Sequence, residues 1–132
     1  MNFLRRLFTK EERSLTELIE NNSNTGIYRQ QILYKIKSEK LLVGTTRSVA
    51  GEILDHSTTD VKCLTSTSPD KNGFVLLAFV NEASLYARNS KAFPLMVDIS
   101  GIKTLIVESN LKGLVIISES GWVGFTTDEL QA

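Results

Sequence analysis

Apolar and polar positions along this chain change period several times, and each change is marked by a residue suited to a cap or a turn. Leu15, Leu18 and Ile19 recur at helical spacing behind Thr9-Lys10-Glu11-Glu12, which has the form of a capping box and predicts a helix start there. Asn21 to Asn24 and Gly26 form a turn-favouring cluster that predicts the stop. A second helix is expected over about Ile27 to Ser38, with Ile32, Leu33 and Ile36 on its apolar side. Leu41 to Val43 then reads as a short strand that ends at Gly44-Thr45-Thr46. Between Arg47 and Asp60, Val49, Ala50, Ile53 and Leu54 suggest a helical turn, whereas Gly51 and Asp55 to Asp60 favour a loop.

The second half, from Gly73 onward, carries the strongest signals. Val61 to Thr67 and Phe74 to Phe79 predict a hairpin, with Pro69 setting a turn and Asn72-Gly73 supplying the positive φ that closes it. Asn81 is placed to cap a helix running to about Asn89. Ala92 to Val97 is apolar and extended at Pro94. Asp98 or Ser100 caps a further helix carrying Ile102, Leu105 and Ile106, with Gly113 as its expected stop. Leu114 to Ser118 is nearly all apolar, as in a strand covered on both faces. Ser118-Glu119-Ser120-Gly121 turns the chain into a strand from Trp122 to Phe125, and Thr126 with Glu129 forms a second capping box. This order of elements predicts one α/β (α+β) domain, a mixed sheet of about five strands packed with helices, and leaves the strand order open.

Composition narrows the classes. A chain of 132 residues, 42% hydrophobic and 23% charged, suffices for one core without disulfides or metals. Fifteen basic and fifteen acidic residues cancel, so no global field favours nucleic acid. Cys63 is the single cysteine, which excludes an internal disulfide and fits a reducing cytoplasm. No apolar run approaches the length of about 20 residues that a membrane helix needs. At the start, Phe3, Leu4, Leu7 and Phe8 would share one side of a short helix, with Arg5 and Arg6 between them. Packing of this end on its own domain or on a partner is the leading reading, and membrane attachment through residues 3–8 the lesser one, because so short a segment binds a bilayer weakly.

A helix leading into a short strand (YRQQILYKIKSEKLLVGTT), the strand-to-helix step Leu77-Ala78-Phe79-Val80-Asn81-Glu82, a helix ending before Leu114-Val115-Ile116-Ile117, and a Gly turn into a final strand-helix segment carry a likeness. Together they make the chain after residue 26 resemble, as a divergent relative, the N-terminal domain of the SseB family of bacterial "enhanced serine sensitivity" proteins. Where that family usually has Phe-Thr and an Asn-Pro-Gly type turn, this chain has Phe79-Val80 and Ser118-Glu119-Ser120-Gly121. The resemblance implies an α/β domain over residues 27–132, joined by an N-terminal helical segment over residues 1–26, in a bacterial cytoplasmic protein. It implies no established reaction, and no cofactor is expected.

Candidate chemistry is sparse. Cys63 and His56 are the single thiol and imidazole, and a weak thiol enzyme is one reading, against a lone Cys that fills a core as a small hydrophobe. Asp55-His56-Ser57 are adjacent in sequence, which seldom gives a relay. One His without a second His or Cys lacks a zinc set, and Glu52, Asp55 and Asp60 miss the spacing of a calcium loop, so no metal site is expected. Gly44-Thr45-Thr46-Arg47 opens a polar segment after a strand, a place where anions bind, without a P-loop ending; it stands as a candidate anion site of a small-molecule regulatory domain. Tyr28, Arg29, Tyr34, Lys35 and Lys37 mix aromatic and basic groups, and on an amphipathic helix they read as a solvated face rather than a nucleic-acid surface. The remaining expectation is a non-catalytic domain that binds another protein through Phe79, Asn81, Gly121 and Trp122, with Trp122 and Phe125 pointing to opposite faces of their strand.

Overall fold

Ser14 opens the first helix of the computed structural model, which describes residues 14–48, 62–68 and 71–131, with the backbone alone for residues 23–25. Its side chain accepts a hydrogen bond from the Glu17 N–H, and helix α1 (Leu15–Thr25) runs to Gly26, whose φ of 73° is left-handed. The expected box at Thr9 lies outside the described residues. The Asn cluster read as a turn is the last turn of α1 instead: a side chain that favours turns was outweighed by the packing of Leu15, Leu18 and Ile19, and only the glycine stops the helix. Helix α2 (Arg29–Lys35) follows, burying Ile32 and then Ile36 just beyond its end.

Six strands are described, β1 (Leu41–Thr45), β2 (Thr65–Thr67), β3 (Phe74–Phe79), β4 (Phe93–Val97), β5 (Gly113–Ile117) and β6 (Trp122–Thr126), and helices α3 (Glu82–Arg88), α4 (Ile99–Glu108) and α5 (Thr127–Gln131) complete five described helices. The α+β class is as expected, with six strands for the anticipated five. The sheet runs β4-β1-β3-β5-β6, and β2 pairs with β3 beside β1. Among the described strands, only β3 and β5 pair in parallel. Between them the chain crosses to the far edge strand β4 and returns through α4, as a parallel pair requires.

The hairpin of β2 with β3 forms as predicted, Thr65 opposite Leu76 and Thr67 opposite Phe74. Its positive φ belongs to Lys71, at 61°, rather than to Asn72 or Gly73, and Pro69 lies outside the described residues. Asn81 caps α3 as expected, accepting from the Ser84 N–H at 2.8 Å, while the Ser84 hydroxyl receives the Asn81 N–H. Asp98 caps α4, accepting from the Gly101 N–H at 2.8 Å. Gly113 is not the stop of α4. Asn110 takes the left-handed φ of 54°, and the Asn110 and Leu111 N–H groups bond back to Val107 and Ile106, the pattern of a Schellman end. Gly113 is the first residue of β5.

Alternation along the strands sends side chains to two faces. Leu41, Val43, Leu76, Ala78, Leu114, Ile116, Val123 and Phe125 meet α1, α2, α4 and α5 in the main core. Leu42, Leu77 and Phe79 form a second, smaller core with Leu85 of α3 and with Ala92. Leu15, Leu18 and Ile19 belong to the main core, so the N-terminal helix and the later α/β portion share one interior. Helix α3 packs chiefly on β1 and β3. Val115 and Ile117 are therefore half-buried on that side, which corrects the expectation that β5 is covered on both faces.

Candidate functional site

The stretch of sheet that α3 leaves uncovered is formed by β3, β5 and β6. Their register places Val75 and Leu77 of β3, Val115 and Ile117 of β5, and Trp122 and Gly124 of β6 on one face. Val75 and Leu77 are buried, whereas Trp122 is 62% exposed. The indole lies along its own strand: a Cβ placed on Gly124 would touch the ring at 3.8 Å and the Val115 methyl at 3.7 Å. Gly124 thus leaves the flat seat on which the ring rests.

Two clefts meet at this indole. One, of about 470 Å³, runs toward Leu77, Arg88 and the Ser118 to Gly121 turn. The other, of about 410 Å³, runs over Val75, Val115 and Gly124 to the sheet edge, where Arg29, Lys112 and Glu129 line it. The floor is apolar and the rim carries the charges, which is the composition of a protein-binding surface.

At the edge, Arg29 and Glu129 form an ion pair with Nη2–Oε1 and Nη2–Oε2 distances of 2.6 and 2.7 Å, and Nε adds a third contact at 3.1 Å. The guanidinium also stacks 4.5 Å above the Phe125 ring. Glu129 meanwhile closes the predicted capping box, accepting from the Thr126 N–H at 3.0 Å as its own N–H reaches the Thr126 hydroxyl at 3.2 Å. The Arg29 guanidinium, and after it the Thr126 N–H, hold the Glu129 carboxyl below the usual carboxylate range. A carboxyl lowered on folding adds stability that is present above its unfolded pKa and lost as pH falls through the folded one. The unfolded value is near 4.3. Urea titrations of wild type and Glu129→Gln are expected to differ by about 1 kcal/mol or less at pH 7, each side chain of the pair being about a third exposed, and to converge in acid as the pH falls below about 4 and through the folded pKa. An equal difference at both pH values would show that the ion pair is not the source.

The residues singled out in the sequence are placed as follows. Phe79 sits beside Ile117, and Ile117 lies opposite Trp122, so the ends of β3 and β5 and the start of β6 do come together. Phe79 is fully buried under α3, however, and the Asn81 side chain is spent on its cap. Gly121 and Trp122 alone remain for a surface. Phe125 is buried on the opposite face from Trp122, as strand periodicity demands.

Gly44 and Thr45 lie within β1, both buried, and not in a polar loop. The Gly44 carbonyl accepts from the Leu64 N–H, and the Thr45 hydroxyl is within hydrogen-bond distance of the Arg47 and Phe93 carbonyls, at 2.8 and 3.2 Å. The Thr46 hydroxyl accepts from the Lys62 N–H, and Arg47 Nη1 donates to the Ser48 carbonyl at 3.0 Å. The polar groups expected to cradle an anion are turned onto the chain itself. Cys63 is half-buried, and burial pushes its thiol up, which lowers the reactive thiolate fraction. His56, Asp55, Ser57, Glu52 and Asp60 lie outside the described residues, as do residues 3–8. No three metal-binding side chains gather among the described residues. Of the aromatic-basic set on α2, Tyr28 packs on the core, Arg29 holds Glu129 and Lys35 pairs with Glu39 at 3.2 Å, while Tyr34 is exposed. No described helix is long and apolar enough to cross a membrane.

Local pattern missed the Arg29–Glu129 pair because the partners stand 100 residues apart. It also missed the floor of Val75 and Val115, whose apolar character is the same whether or not a helix covers them. In comparison with known proteins, no family model, curated protein or solved structure matches this chain.

Proposed function

We propose that this chain is a non-catalytic protein-interaction domain and that the sheet face around Trp122 receives another protein. The observation that carries this reading is the exposed indole lying on Gly124 between two clefts with apolar floors. A large flat aromatic beside buried aliphatic residues, ringed by charge, is how interface hot spots are built, and one such residue contributes about 2 kcal/mol or more to binding. Kinship with the SseB family belongs to the same proposal and supports a bacterial cytoplasmic setting. The test is paired capture from lysate of the native host, with wild type and Trp122→Ala immobilised at equal density. Proteins retained by wild type and depleted about tenfold or more by the variant support the reading. Identical recovery on both surfaces, with both proteins folded by circular dichroism, sinks it.

A further inference from the structure

The two clefts share Val75, Val115 and Trp122 and so form one groove, which follows the strands rather than crossing them. At one end stand Leu77, Ile117 and the Ser118 to Gly121 turn. At the other stand Gly124, Thr126 and Lys112, the last of these just before β5. Six residues of nearly extended chain separate Lys112 from Ser118, which makes the groove about 20 Å long. Beside it on the same face lies α3, packed chiefly on β1 and β3 and ending at Arg88. The groove therefore occupies the place where a second helix would lie next to α3 in a helical layer.

The floor selects the form of the occupant. Val75, Leu77, Val115 and Ile117 present only aliphatic carbon, and the strands beneath them are hydrogen-bonded on both sides, β3 to β5 and to β1 and β2, β5 to β3 and β6. An extended segment laid over this floor would press its own N–H and C=O groups against carbon that offers them no partner, which is costly. An α-helix closes those bonds within itself and turns an apolar stripe toward the floor. About 13 residues of helix match a length of about 20 Å.

Charge selects the flank. At the Thr126 end the Arg29 guanidinium is held by Glu129, and Lys112 has no ion pair among the described residues. The Lys112 stem rests on Gly73, in the turn before β3, with its Cγ 3.0 Å from where a Cβ on that glycine would stand. At the far end Arg88 and Glu119 both line the groove and offset one another. The net charge of the groove is thus positive and belongs to the Lys112 end. Resting on the reading that this sheet face receives a protein, we propose that the partner presents an amphipathic helix of about 13 residues, apolar along the buried stripe and carrying Asp or Glu at the end that meets Lys112.

The probe is a fluorescein-labelled Ala-based helical peptide of about 18 residues, with Leu along one stripe and two Glu in its first turn, titrated against the full chain and read by anisotropy. Saturable binding is expected, about fivefold or more tighter than for the same peptide with Lys in place of both Glu. Lys112→Glu, at an exposed position, is expected to reverse that preference, and differences in peptide helicity cancel in the reversal. A peptide of the same stripe and charges interrupted by two central prolines is expected to bind about tenfold or more weakly. The Val115 and Gly124 amide resonances should shift on binding of the acidic helix. Trp122-dependent capture of host proteins, combined with an unchanged preference in Lys112→Glu or with equal binding of the proline peptide, leaves the protein-binding face standing and overturns the acidic helix. No saturable binding of either helix up to about 1 mM, or a dimer in light scattering that shifts the same amides without peptide, overturns it as well.

Discussion

Phe79→Ala is expected to destabilise the protein by about 3–5 kcal/mol, the largest effect of any single truncation among the residues of the candidate site. Phe79 is fully buried and lies with Leu42, Leu77 and Leu85 in the small core beneath α3. That core is one helix thick, so its lining cannot collapse onto a second layer, and removing the ring leaves a cavity as well as lost transfer energy. Because the native state of a domain this size stands only about 5–15 kcal/mol below the unfolded ensemble, much of the margin disappears. Urea denaturation followed by Trp122 fluorescence and far-ultraviolet circular dichroism would measure it. A loss below about 1 kcal/mol would mean that Phe79 is not a core residue. The comparison also separates folding from binding: Phe79→Ala lowers stability, whereas Trp122→Ala removes an exposed side chain and leaves the unfolding midpoint nearly unchanged.

The second large effect is expected at Gly113. A Cβ added there would stand 2.3 Å from the Phe125 carbonyl oxygen and 3.2 Å from the Thr126 Cα, both backbone, so the β5 and β6 strands must separate to admit it. Gly113→Ala should cost about 2–3 kcal/mol, and the displaced Phe125 would carry its Arg29 contact with it. Gly124→Ala is the control on the same strand pair. Its added Cβ meets Val115 and Trp122 side-chain atoms at 3.7 and 3.8 Å and the Leu114 carbonyl oxygen at 3.8 Å, all ordinary contacts, and the change should stay within about 0.5 kcal/mol. Thermal unfolding of the two variants side by side decides the matter: equal midpoints would show that the strands have room to move apart at Gly113.

These two positions show how far local pattern reached. Phe79 and Asn81 were legible as the end of a strand and the cap of a helix, because alternation and a short polar side chain are local signals. Phe79 was misplaced on a surface because a strand residue faces solvent or a helix depending on what packs above it, and Leu85 lies in another element. Gly113 was read as a helix stop because glycine often plays that part, but the left-handed position fell to Asn110. Gly44 and Thr45 looked like a loop because small polar residues are common in turns. The pairing of β1 with β4, Gly44 opposite Pro94 and Thr45 opposite Phe93, makes them strand, and Leu64 and Leu85 crowd the space beside Gly44.

The sequence by itself determined the elements, most of their caps and the α+β class, since each depends on spacing within about ten residues and on the hydrogen-bonding reach of single side chains. Exposure of Trp122 against burial of Phe125 also follows from period, once one face is known to be the core. Only the tertiary structure decided the strand order, the bare sheet face beyond α3, and the bond between Arg29 and Glu129. Those depend on which distant segments bury one another's apolar surface, and burial is a property of the whole packed chain.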